Sequence, residues 1–134
     1  MSAQGKRVLV IGGDTAVGRA IAIRLAEAGA GIAIASLTPD TKAEFAINSA
    51  LNELWALGRK GLALAIDASD IDQVRTAIAS AEAELGPLHA IVLAGEDAWA
   101  AELRAAFPDR AVLGFTPETS PAAALPKVLS ALNQ

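Results

Sequence analysis

Val8-Leu9-Val10-Ile11-Gly12-Gly13-Asp14-Thr15-Ala16-Val17-Gly18 is the stretch on which the reading of this chain turns. Four apolar residues run into two glycines and an aspartate, a length and punctuation that suit a buried strand entering a turn. From Ala16 to Ala28, Val17, Ile21 and Leu25 recur at every fourth position and Gly29 follows. That spacing lines one face of a helix with apolar side chains, and the glycine stands where helices commonly end. Strand, glycine turn and amphipathic helix together make one βα unit.

The unit repeats. Ile32-Ala33-Ile34-Ala35 predicts a second strand, followed by a long helix from about Pro39 to Leu57 with Ile47, Leu51 and Leu54 in line. Thr38 is the expected cap of that helix and Pro39 suits its first turn. Leu62 to Ile66 predicts a third strand. Ile71, Val74, Ile78, Ala81 and Leu85 then step through a third helix, with Asp70 as its cap. After the break at Gly86-Pro87, His89 to Leu93 predicts a fourth strand, and Trp99, Leu103 and Phe107 mark a short helix ending at Pro108. Ala111 to Phe115 and a helix from about Pro121, with Leu125, Val128, Leu129 and Leu132, complete the series. Apolar strands alternating with amphipathic helices predict a parallel sheet covered on both faces. The expected fold class is α/β: one domain over 1–134, built on a doubly wound, five-stranded parallel sheet of order 3-2-1-4-5, a Rossmann-like three-layer sandwich. Helices 1, 4 and 5 are expected on one face, and helices 2 and 3 on the other.

Composition narrows the function. The 134 residues carry 11 Lys plus Arg against 15 Asp plus Glu, a formal charge of −4, with no cysteine and no tyrosine. Without cysteine there are no disulfides, thiol nucleophiles or Cys-based zinc sites. An acidic chain with no basic run is not expected to bind nucleic acid, which requires clustered Lys and Arg. Although 53% of residues are hydrophobic, no 18-residue window is free of charge, so no membrane span is expected. The apolar run after Arg7 is too short for a signal-peptide core, and a cytoplasmic location is the expectation. His89 is the single histidine and falls at the start of a strand, where a structural role is expected rather than metal or acid-base work.

Gly12 to Gly18 lies between a strand and a helix, the context in which a glycine turn reads as a phosphate cradle. Gly12 allows the tight turn and Gly18 the close helix-to-strand approach, while the N–H groups of the first helical turn point at an anion. Ala16 stands where the usual spacing has a glycine, so its methyl narrows the approach. Asp14 brings a negative charge close to that anion, unless its carboxylate turns away to accept from a backbone N–H.

With this loop in place, the stretch from about Lys6 to Gly95 resembles the cofactor-binding half of short-chain dehydrogenases/reductases. Their Thr-Gly-x-x-x-Gly-x-Gly pattern is matched by Ile11, Gly12, Ala16 and Gly18, with two glycines kept and two positions changed. Arg19-Ala20-Ile21-Ala22, Leu25-Ala26 and Ala28-Gly29-Ala30 are similar to that family's first helix and its exit. Their Asp after the third strand aligns with Asp67, their Gly-Pro-Leu with Gly86-Pro87-Leu88, and their Asn-Asn-Ala-Gly with Val92-Leu93-Ala94-Gly95, both asparagines being lost. The resemblance implies an adenine pocket lined by Asp67, Ala68 and Ala94, with Gly95 near the ribose. The expected cofactor-binding set is Gly12, Asp14, Thr15, Ala16, Val17, Gly18, Ser36, Leu37, Thr38, Asp67, Ala68, Leu93, Ala94 and Gly95. At the end of the second strand, Ser36-Leu37-Thr38 offers neither the acid that would accept from a ribose 2′-OH nor a base for a 2′-phosphate. NAD and NADP are therefore both admitted: Asp40 is in reach of that position, and the hydroxyls of Ser36 and Thr38 are expected to accommodate a phosphate weakly.

The family's proton-transfer device is a Tyr with a Lys four residues on and an upstream Ser. Ala123 stands four before Lys127, and Thr116 and Ser120 are the nearest hydroxyls to the Ser position, where loop and cap roles are expected. No catalytic residue and no metal ligand is assigned: Asp67, Asp70 and Asp72 crowd one turn, but a strand end and a helix cap explain them. The expectation is an NAD(P)-dinucleotide-binding domain without autonomous oxidoreductase activity, acting as cofactor binder, sensor or partner subunit, with a homo-oligomer or partner protein admitted. The alternatives are a scaffold or interaction module that binds no nucleotide, offering Trp99, Leu103 and Phe107 as an apolar stripe, and a receiver-like signalling domain using Asp14 and Asp67.

Overall fold

In the computed structural model, which describes residues 2–133, five parallel strands form one sheet of order β3-β2-β1-β4-β5. The strands are β1 (Arg7–Ile11), β2 (Gly31–Ala35), β3 (Gly61–Leu64), β4 (Ala90–Ala94) and β5 (Ala111–Phe115). The helices between and after them are α1 (Ala16–Glu27), α2 (Thr41–Ala56), α3 (Ile71–Leu85), α4 (Ala100–Ala106) and α5 (Pro121–Leu132). Met1 and Gln134, the ends of the expected domain, lie outside the described residues.

β1 is the centre. Val8 pairs with Ile32 on one side and Ala90 on the other, and Ile11 with Ala35 and Leu93. A strand hydrogen-bonded on both edges and covered on both faces has no polar surface to offer, which explains an apolar run without alternation. Val8 and Val10 point into one core with Ile21, Leu25, Ile47, Leu54 and Val128, whereas Leu9 and Ile11 point into another with Val74, Ile78, Leu103 and Phe107.

Those two cores correct the expected distribution of helices. α1, α2 and α5 cover one face, and α3 and α4 cover the other. Right-handed crossovers require this. The chain steps outward from β1 through β2 to β3, keeping α1 and α2 on one face. It then reverses to β4 and continues to β5, which puts α3 and α4 on the opposite face. After β5 the chain folds back, and α5 packs against α1.

Two element boundaries also differ. α2 begins at Thr41, not near Pro39, and its cap is Asp40, whose carboxylate accepts from the Ala43 N–H at 2.8 Å. Thr38 supports that cap from outside, donating its hydroxyl to Asp40 at 2.6 Å. Asp wins because Thr38 lies too far upstream for its oxygen to reach the first helical turn. β3 ends at Leu64, because Ile66 has left the sheet to exchange hydrogen bonds with the Ser36 side chain.

Candidate cofactor site

The order of the strands reverses between β1 and β4, so the loops leaving their carboxyl ends diverge to opposite faces and open a crevice between them. Gly12 leaves β1 with φ +98°, a conformation that costs other residues about 1–2 kcal/mol. A side-chain carbon there would strike the Ala94 carbonyl, and one at Gly18 would strike the Gly12 carbonyl. The two glycines thus bring β1, β4 and the start of α1 into backbone contact; the tight turn and the close helix-to-strand approach follow the loop pattern, and the contact of Gly12 with β4 comes from the tertiary structure.

Thr15 fastens the turn. Its hydroxyl donates to the Gly12 carbonyl at 2.6 Å and accepts from the Gly18 N–H at 3.1 Å, making it the cap of α1. The Gly18 amide is therefore occupied, a correction to the expectation that the whole first turn faces an anion. The amides of Ala16 and Val17 have no carbonyl one turn back within the helix and are the donors left. Gly95, φ +84°, closes the opposite wall, its backbone lying where a side chain would collide with Thr15.

Ala16 is exposed, so its methyl sits at the mouth of the turn and does not fill it. Asp14 has turned away: its carboxylate accepts from the Leu37 N–H at 3.0 Å, tying the β1 turn to the end of β2. Leu37 in turn accepts at its carbonyl from the Ala68 N–H at 2.9 Å. Three successive strand ends are thereby stitched into one floor.

Of the remaining expected residues, Val17, Leu93 and Ala94 have buried side chains and reach the crevice only through backbone. Ser36 is fully buried and its hydroxyl both accepts from and donates to Ile66, at 3.0 and 3.3 Å, so it is not available to a phosphate. Asp67 accepts from the Ser69 hydroxyl at 2.6 Å and the Ser69 N–H at 3.0 Å, and these bonds hold its carboxyl below the usual carboxylate range.

A small pocket of about 150 Å³ lies beside the β1 turn, lined by Asp14, Thr38, Asp40, Lys42, Ala43 and Ala46. Hydrogen bonds from Thr38, then from the Ala43 amide, hold the Asp40 carboxyl below its ordinary value, so the pocket carries two acids and one base. Lys42 was not among the sequence-derived residues; its signal is its place in the first turn of the helix that follows β2. A larger depression, about 370 Å³, lies along the outer edge of β3 beside Gln73 and Thr76 and does not belong to the crevice.

At the far side of the sheet, the Thr116 and Thr119 hydroxyls bond each other at 3.0 Å, and Ser120 caps α5 by accepting from Ala123 at 3.1 Å. Both are the loop and cap roles expected. The receiver reading is overturned by topology, since that fold uses the order 2-1-3-4-5. Leu103 and Phe107 are buried against the sheet and Trp99 is half-buried with them, so the α4 stripe is core and not a free surface. Among the described residues no group of three acids or histidines is placed to hold a metal ion, and no helix is long and apolar enough to cross a membrane.

A parallel three-layer sheet with a glycine-walled turn at its switch point defines a dinucleotide-binding type of fold, and comparison with known proteins makes the class particular. Residues 6–104 match the family model of short chain dehydrogenases. A short chain dehydrogenase of Pseudocercospora fijiensis is 38% identical over 90 residues, which are 66% of this chain and 27% of that protein. A short-chain type dehydrogenase/reductase from Mycobacterium marinum superposes with a TM-score of 0.62 at 31% identity, covering 69% of this chain and 36% of that one. A blue fluorescent protein from a metagenomic library, solved in complex with NADPH, gives a TM-score of 0.63 at 35% identity, covering 69% and 36%. The chain belongs to the short-chain dehydrogenase/reductase family. It spans about a third or less of the relatives it matches, and the family match stops before β5.

Proposed function

We propose that this chain is a nicotinamide-dinucleotide-binding domain that favours the form with a free ribose 2′-OH and does not by itself carry out hydride transfer. The observation that carries the first part is the β1 turn: Gly12, Gly18 and Gly95 let β1, β4 and the start of α1 close up on one another, the Ala16 and Val17 amides have no partner within the helix, and the Asp14 carboxylate is tied to the Leu37 N–H. A diphosphate would accept from those amides at the positive end of α1. Asp67, Ala68 and Ala94 would border the adenine and Leu37 and Thr38 the ribose. Once held, the nicotinamide supplies a hydride donor or acceptor.

Preference for the 2′-OH form rests on the pocket beside the turn. Asp14 and Asp40 together outnumber Lys42, so a doubly charged phosphate there meets net repulsion while a hydroxyl finds acceptors. The absence of autonomous turnover rests on a chain that contains no tyrosine and on hydroxyls after β5 that are bonded to each other or to a helix start. Without a general acid the reaction forfeits a factor of about 10² to 10⁴.

Thermal unfolding with NAD, NADH, NADP and NADPH tests this. A ligand at 100 times its Kd stabilises by about 2.7 kcal/mol, and NAD or NADH is expected to reach this at lower concentration than the phosphorylated forms. No shift with any of the four at millimolar concentration would remove the proposal; a shift with NADP alone would remove the preference.

A further inference from the structure

We infer that α2 is a self-association surface through which two copies of this chain pair antiparallel. The inference is independent of the dinucleotide. Large apolar side chains left in solvent among the described residues are Phe45 at 78%, Trp55 at 57% and Leu57 at 43%, and all three belong to α2 or its carboxyl cap. In a chain with five aromatics, two are thus kept outside on one helix.

They are not scattered. Ala43, Ile47, Ala50, Leu51 and Leu54 are the buried face of α2, and its exposed side carries Thr41, Phe45, Asn48, Asn52 and Trp55. Those five alternate in steps of four and three, the spacing of a seam between two helices. One flank of the seam is closed toward α1 by Arg19, which reaches Ser49 and Glu53. The outward stripe itself is unpartnered.

A second copy is the occupant the stripe fits. Turned antiparallel about the level of Ala50, Phe45 of one copy lies against Trp55 of the other, Asn48 against Asn52, and the reverse pairs follow, as a two-fold contact requires. In antiparallel seams the two alternating positions face each other, and these pairs obey that rule. A shallow depression of about 330 Å³ bounded by Thr41, Glu44, Phe45 and Asn48 lies where the second copy's indole would rest. Asn48, whose amide nitrogen donates one proton to the Glu44 carbonyl at 2.9 Å and keeps a second proton and its oxygen, suits the amide of Asn52 and fixes the register, since any slip opposes an amide to an aromatic ring.

Charge selects the direction. The amino end of α2 carries Asp40 and Glu44 against the single base Lys42, while at its carboxyl end Glu53 is paired with Arg19 and Arg59 and Lys60 follow, so the two ends keep opposite net signs. Antiparallel pairing brings acids to bases at both ends of the seam, whereas parallel pairing stacks acid on acid and base on base. One helix against its copy is a small interface, so the equilibrium belongs in the micromolar range.

Sedimentation velocity of the full chain from about 1 to 200 µM should show monomer giving way to dimer. Phe45→Glu and Trp55→Glu, both at exposed positions, should each raise the dissociation constant at least tenfold while circular dichroism stays unchanged. The chain has no cysteine, so cross-linking is clean. Asn48→Cys chains mixed with Asn52→Cys chains should oxidise to the mixed dimer in preference to either self-dimer. A monomer over the whole range overturns the inference and leaves the stripe to a different partner. A dimer untouched by either glutamate, or one that links Asn48→Cys to itself, overturns it as well.

Discussion

The turn after β1 and the turn after β5 emerge at the same end of the sheet, and they are built in opposite ways. In the first, two glycines and a cap threonine shape the backbone so that amides stay free and an acidic side chain is drawn aside. In the second, Thr116 and Thr119 share one hydrogen bond between their hydroxyls, and the Ser120 oxygen accepts from the Ala123 N–H at the start of α5. Under the proposed function, the binding site is made from backbone and so tolerates changes in side chains, which a proton-transfer site made from side chains would not. The boundary of the family match falls between them, after residue 104.

The sharpest way to break this contrast is Gly12→Ala. The left-handed φ and the collision with Ala94 together predict a loss of about 3 kcal/mol or more in urea unfolding. Gly114→Ala in β5 meets Ala100 at 2.9 Å and Asp97 at 3.1 Å, on a loop and a short helix that can shift, and should cost only about 1–2 kcal/mol. Equal losses would mean that the β1 turn is no more constrained than the β5 side. Next in size is Ala16→Gly, which restores the glycine of the family pattern. It should tighten NAD binding about three- to tenfold by equilibrium dialysis while costing up to about 1 kcal/mol of stability. Thr116→Val should remove about 1 kcal/mol and leave dinucleotide affinity where it was; weaker binding would show that the β5 turn takes part after all.

The smallest expected effect is a pH dependence. Burial, with help from the charges of Arg7 and Lys6, lowers the His89 pKa below 6.5, and Nδ1 accepts from the Arg7 N–H at 3.0 Å. The native state keeps the ring neutral while the unfolded chain takes up a proton below 6.5. Stability is therefore whole above that pH and declines as pH falls through the lowered native value. His89→Asn keeps an acceptor for Arg7 and should flatten this limb of the unfolding midpoint measured from pH 7 to 5.

Much of this was open to inspection in the chain alone. β1, its glycine turn and α1 stand within one residue of where the periodicity puts them, because local spacing and glycine chemistry act over a few residues. Asp70 caps α3 and Ser120 caps α5 for the same reason. The α2 cap was displaced from Thr38 to Asp40, since two capping types stood together and only geometry decides which reaches the free amides. Ser36 illustrates the opposite case: a hydroxyl at a cofactor position reads as accessible until Ile66 leaves β3 and claims it.

Alternation of strand and helix, the glycine turn and the family pattern through Gly95 settle which elements exist and that they wind into a parallel sheet, since each depends on neighbours along the chain. Which helices share a face, where the Asp14 carboxylate points, and why Phe107 is inside while Phe45 and Trp55 are outside came only with the tertiary structure. Handed crossovers choose one side of the sheet for each helix, and a helix with apolar residues on two sides can bury only one of them against it.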